Sequence, residues 1–137
     1  MHTTPYLFVY GSLRQGFQSD AYHYISQYFT LVGNATTQGL LVNIGTHPVG
    51  IASNTNQHII GELYQLKNTN EYDWAFAQLD DYEGIHVEQG EIPLYVKATT
   101  TVHYNNTEVT AWVYWYNGNV DGMPVLNSGD IFDFIKK

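Results

Sequence analysis

The chain has 137 residues, enough to bury one core and too few for two domains. Five Lys+Arg against thirteen Asp+Glu leave a net charge of −8, and only Lys136 and Lys137 are adjacent, which argues against nucleic acid or an anionic membrane as partner. The absence of cysteine removes disulfides, thiolate metal sites and cysteine nucleophiles, and a 44% hydrophobic content with twelve Tyr removes the disordered class.

The first element in chain order is a short apolar strand, Leu7 to Tyr10, which runs directly into Gly11-Ser12-Leu13-Arg14. It meets glycine too soon to be the apolar core of a signal peptide, and no later run approaches membrane-spanning length, so a soluble cytoplasmic protein is expected. Ser19 to Phe29 opens with capping residues and places Tyr22, Ile25 and Phe29 at helical spacing. Thr37 to Gly45 and His58 to Leu66 have strand character, separated in part by a polar loop at Ala52 to Gln57. Asn70 to Gly84 is the stronger helix. Asn70 is its candidate cap, Gly84 suits a left-handed stop, and Tyr72, Ala75, Phe76 and Leu79 form its apolar face. Pro93 to Tyr104 and Glu108 to Tyr116 are β-branched and aromatic, and Asn105-Asn106 between them predicts a hairpin turn. The tail ends in an apolar cluster of Ile131, Phe132, Phe134 and Ile135. Many strands with two irregularly placed helices predict one α+β domain over residues 1–137, with a strongly curved, mainly β core.

Four stretches carry candidate chemistry. Gly11-x-x-x-x-Gly16 is spaced like a phosphate-binding loop, but Phe17-Gln18 stands where Lys-Ser/Thr is needed. What remains is either a tight turn or a nest of backbone N–H groups able to hold an anion. In Gln78 to Gly84, Asp80, Asp81 and Glu83 crowd the negative end of a helix dipole, where stability alone prefers Lys or Arg. Glu83 lies four residues after Leu79. Either it continues the apolar face, where a carboxylate's pKa rises toward that of a general acid/base, or all three acids face water.

On the strand His58 to Leu66, Glu62 alternates in phase with Ile60 and Tyr64. It is a rival catalytic carboxylate or a structural partner for Arg14, the only arginine. Tyr95 and Lys97 share a strand face, offering a phenol and an ammonium to a ligand. The six histidines have no metal-ligand spacing, Ser12 lacks the G-x-S-x-G elbow, and neither a metal nor a cofactor is expected. The N-x-T triplets at Asn34 and Asn105 read as chance or turn chemistry, not as glycosylation sites.

Read together, "LFVYGSLRQG", "GLLVNIGTHPVGI", "IIGELYQL", "LDDYEG", "PLYVK" and "VYWY" resemble, in that order, the motifs of the gamma-glutamylcyclotransferase-like (avirulence-induced-gene-like) family. They span roughly residues 6 to 116. The resemblance implies a small, mainly antiparallel β-barrel, closed or nearly so, flanked by helices, with a cavity at one end. Tyr10, Gly11, Ser12 and Leu13 would wall that cavity and hold the substrate through backbone N–H groups, with Glu83 as general acid/base. Arg14 and Tyr95 are further candidate substrate contacts.

The implied reaction needs no cofactor. The α-amine of a gamma-glutamyl amine or amino acid attacks its own γ-carbonyl, releasing an amine and 5-oxoproline. Because ring closure is intramolecular, no protein nucleophile is required. The other reading of the same fold is a non-catalytic protein whose cavity binds a small carboxylate. Two positions depart from the family pattern. Lys97 stands where arginine is common, and Ser19-Asp20 replaces an Asn-His pair, so the substrate and cavity rim would differ more than the fold.

Overall fold

The computed structural model describes residues 4–10, 20–45, 48–53, 55–83 and 95–130, with side chains 20–22 and 81–83 left out. Five strands close into a barrel in the order β1 (Tyr6–Val9), β5 (His58–Leu66), β2 (Phe29–Gln38), β6 (Tyr95–Tyr104) and β7 (Thr107–Tyr116). Its pairs are antiparallel except the closing one. There β1 meets β7 in parallel, with Leu7 opposite Trp112. A smaller antiparallel sheet places β3 (Leu40–Asn43) between β4 (Pro48–Ile51) and β8 (Val125–Leu126). Two helices, α1 (Asp20–Tyr28) and α2 (Tyr72–Glu83), complete the described elements.

The expected hairpin forms, with Asn105 and Asn106 at φ of 50° and 65°. Two successive left-handed residues match the twist of the flanking strands, and the turn sets their register. Thr107 Oγ1 donates to the Tyr104 carbonyl at 2.6 Å and seals it. The expected α1 is also present, but Phe29 begins β2 instead of ending the helix. The span Thr37 to Gly45 is not one strand. It breaks at Gly39, whose N–H donates to the Gln57 carbonyl at 3.1 Å, so Thr37 and Gln38 finish β2 and Leu40 opens β3. The cap before α2 lies earlier than predicted. Asn68 Oδ1 accepts from Asn70 N at 2.9 Å and starts a 3-10 turn, Thr69–Glu71, that leads into the helix. The stop at Gly84 and the apolar tail at 131–135 lie outside the described residues.

Strand alternation divides the core in two. Phe8, Ala35, Ile59, Leu63, Val102, Ala111, Val113 and Trp115 cluster with Leu41 of β3. A set drawn from every barrel strand and neither helix fills the barrel. Its tightest approach is at Gly61, where a Cβ would collide with the Val9 carbonyl oxygen and the Phe8 ring. The opposite face buries Leu7, Val9, Tyr64, Leu66 and Tyr114 under Ile25 of α1 and Ala75, Phe76 and Leu79 of α2. Ala75, Phe76 and Leu79 are the helical face expected from their spacing, and Phe76 meets Phe29 edge to face at 5.5 Å.

Candidate functional site

Chemistry-bearing side chains gather on the helix-covered face. β1 and β5 pair with Val9 opposite Glu62 and Leu7 opposite Tyr64, so Glu62 and Tyr64 point together toward the helices. Glu62 is only 5% exposed, and the Tyr64 hydroxyl donates to its Oε1 at 3.0 Å. A buried carboxylate needs such donors, because an unpaired one would carry its full desolvation cost. The shared face read from the sequence is therefore real. Arg14, the partner expected for Glu62, lies outside the described residues.

Next to this pair, α2 meets the β6–β7 hairpin. The two-residue turn places Lys97 opposite Tyr114, Thr99 opposite Trp112 and Tyr95 opposite Tyr116. Asp80, in the last turns of α2, is held from two sides. The Tyr114 hydroxyl donates to Oδ1 at 2.6 Å, and Lys97 Nζ stands 3.3 Å from Oδ1 and 3.5 Å from Oδ2. The same ammonium lies 4.7 Å from the ring centroids of both Phe76 and Trp112, within cation–π range. Trp112 Nε1 in turn donates to the Tyr72 hydroxyl at 2.6 Å. Burial pushes the Tyr72 phenol above its usual range, the Trp112 bond lowers it, and Asp73 and Asp80 raise it again.

These contacts explain an acid at the unfavourable end of a helix. Asp80 is compensated by an ammonium and a phenol from the barrel, which offset the repulsion of the helix carbonyls. They also correct one expectation. Lys97 does not offer a spare ammonium to a ligand; Asp80 and two rings engage it. Tyr95 is half-buried on the same strand face and sits edge to face with Tyr116 at 5.8 Å.

At the end of β1, Tyr10 turns to the other side of the sheet. Its ring stacks near Phe8 and Trp115 and lies over Gly50, where any Cβ would come within 2.5 Å of it. Its hydroxyl donates to the Tyr114 carbonyl at 2.6 Å. Tyr114 is thus the common anchor of the two stretches singled out in the sequence. Its backbone oxygen holds the residue that leads into Gly11, and its hydroxyl holds the helix that ends at Glu83. Gly11, Ser12, Leu13 and Arg14 lie outside the described residues. Glu83 closes α2, with its side chain outside the described set.

The sequence pattern does not bring Asp80, Tyr114 and Lys97 together as a site. Part of the signal was available, since a two-residue Asn-Asn turn already implies that 97 faces 114. An open groove at the hairpin tip, lined by His103 to Glu108, lies at the other end of that hairpin from Tyr95 and Tyr116. Among the described residues no helix is long and apolar enough to cross a membrane, and no three His, Asp or Glu side chains form a metal-binding group.

A small closed barrel with a helix that brings Asp80 to its outer face defines a class of compact α+β proteins. The chain belongs to the gamma-glutamyl cyclotransferase, AIG2-like family, whose profile matches residues 7–133. It is similar to the gamma-glutamylcyclotransferase family protein YtfP of Escherichia coli K12, at 28% identity over 127 residues, 93% of this chain and 96% of the relative. The YtfP protein of Citrobacter rodentium is 26% identical over the same length. Among solved structures, YkqA from Bacillus subtilis superposes with a TM-score of 0.67 at 25% identity over 94% of this chain; the chain spans 40% of YkqA. PH0828 from Pyrococcus horikoshii gives 0.66 at 18% identity, covering 97% and 93% of the two chains, and shares the fold.

Proposed function

We propose that the protein is a cofactor-independent gamma-glutamyl cyclotransferase acting on a gamma-glutamyl amine or amino acid, with Glu83 as general acid/base. The observation that supports this reading is the convergence on Tyr114. One peptide unit and its side chain tie together the strand end entering Gly11–Leu13 and the helix turn carrying Glu83.

In this reading the Glu83 carboxylate removes a proton from the substrate's α-ammonium. The freed amine attacks the γ-carbonyl carbon, and a carbon–nitrogen bond forms within a five-membered ring. Backbone N–H groups of Gly11–Leu13 stabilise the oxyanion or hold the α-carboxylate. Glu83 then returns its proton to the leaving nitrogen as the original γ-amide bond breaks. It relays the remaining extra proton of the ring nitrogen to the freed amine, so that a neutral lactam nitrogen and a protonated amine result and 5-oxoproline departs. One carboxylate performs these transfers, and the intramolecular attack supplies what a protein nucleophile would otherwise provide.

Purified protein is to be incubated with a panel of gamma-glutamyl amines and amino acids, and 5-oxoproline measured. Release that is abolished by Glu83→Gln in a folded protein is the expected result. Tight binding of a gamma-glutamyl compound without turnover would replace the enzyme with a carboxylate-binding protein of the same fold. Loss of activity in Glu62→Gln with Glu83→Gln still active would move the acid/base role to β5.

A further inference from the structure

Three features of the fold stand outside the proposed chemistry. One is the groove at the hairpin tip, another is the exposed Trp74 beside Tyr28, and the third is the Tyr114–Asp80–Lys97 cluster. Only the last has a geometry that reaches the reaction.

We propose that Tyr114 is a positioning residue that locks the last turn of α2 to the barrel, with Asp80 as its receptor and Lys97 as the counter-charge. The inference rests on the proposed role of Glu83, and it deepens that role by naming what fixes the carboxylate. Glu83 lies three residues beyond Asp80, about one helical turn. A helix end is free to fray unless something outside the helix holds it. Here the hold is a charge-assisted hydrogen bond of 2.6 Å from a side chain that is only 4% exposed, on a central β-strand.

Lys97 is committed between two rings and Asp80, so the receptor carboxylate stays charged-paired and oriented toward Tyr114. The Tyr114 carbonyl meanwhile carries Tyr10. A displacement of one residue is therefore felt by both halves of the site, and catalysis is sensitive to such displacements because about 1 Å can cost a hundredfold.

The test uses the full chain with Tyr114→Phe, which removes the hydroxyl and keeps the ring and the carbonyl. Asp80→Asn is the second variant, since it keeps an acceptor but loses the charge. Two measurements are made: kcat and KM for 5-oxoproline release from the best substrate of the panel, and amide hydrogen exchange resolved by residue.

In Tyr114→Phe we expect kcat to fall about ten- to a hundredfold with KM within about twofold. Exchange at amides 80–83 should accelerate about tenfold or more, while β5 and β6 keep their protection. Asp80→Asn should produce a smaller effect of the same kind. The double variant should lose less than the sum of the two single ones, because both substitutions act on the Tyr114–Asp80 bond. Unchanged exchange at 80–83 in Tyr114→Phe overturns the proposal, as does acceleration spread evenly over the barrel. If the wild-type chain turns over no gamma-glutamyl compound, the functional reading fails by itself, and the exchange result still decides whether Tyr114 holds the helix end.

Discussion

The two faces of the barrel wall are built from the same strands on different principles. The inner face is mainly apolar and close-packed, from Phe8 and Leu63 through Ala111 and Val113 to Trp115, with buried Thr37, bonded to Thr100 and the Thr101 carbonyl, as its polar exception. The helix-covered face alternates with it residue by residue, yet holds Glu62 with Tyr64, Asp80 with Tyr114 and Lys97, and Trp112 with Tyr72. Shape and volume specify the first. Directed bonds specify the second, because each buried polar group there must find its partner or carry a desolvation cost. A protein with this division can hold reactive groups in place without placing any of them inside its barrel.

The difference is open to direct attack. The largest effect expected is on turnover. Glu83→Gln should lower 5-oxoproline release by at least about a hundredfold, with unchanged thermal unfolding, if the polar face carries the chemistry. Phe8→Ala should cost about 3–5 kcal/mol in urea unfolding by opening a cavity inside the barrel. Asp80→Ala should cost less, about 1–3 kcal/mol, for another reason: it leaves the part-buried Lys97 ammonium without its carboxylate. The two causes separate in a second step. Adding Lys97→Met should recover part of the Asp80→Ala loss, because the orphaned charge is gone. It should recover none of the Phe8→Ala loss.

Smaller effects sharpen the same contrast. Trp112→Phe keeps an aromatic wall for Lys97 but deletes the donor to Tyr72, and about 1–2 kcal/mol of stability should go with it. The gentlest probe is alkaline pH. Burial, with Tyr28 and Glu71 nearby, raises the Tyr24 phenol from 10.0 to about 12, and its hydroxyl bonds the Ala75 carbonyl of α2 at 3.0 Å. Below pH 10 the phenol is neutral in both states and its contribution is complete. Between pH 10 and about 12 the unfolded chain ionises first, so stability should decline as pH rises. Chemical unfolding across this window, compared with Tyr24→Phe, checks it; the variant should show the shallower decline.

Local chemistry was legible wherever a short stretch decides its own geometry. Asn105-Asn106 announced a hairpin because few residues accept two left-handed conformations in succession. The spacing of Ala75, Phe76 and Leu79 announced the buried face of α2, and the alternation of β5 put Glu62 beside Tyr64. β2 was largely missed, because its Thr- and Gly-containing stretch lacks a clear period of two and a bulge between Leu31 and Gly33 shifts its register. β4 and β8, of four and two residues, are too short to show a pattern.

What the sequence determined alone were the two helices, β1, β5, the hairpin register and the acidic end of α2, since each follows from backbone sterics or side-chain period within a few neighbouring residues. What only the tertiary structure decided was the parallel closure of β1 on β7 and the meeting of Tyr10 and Asp80 at Tyr114. Those contacts join segments far apart in the chain. Their partners are chosen by how the whole barrel closes, and no local preference encodes that choice.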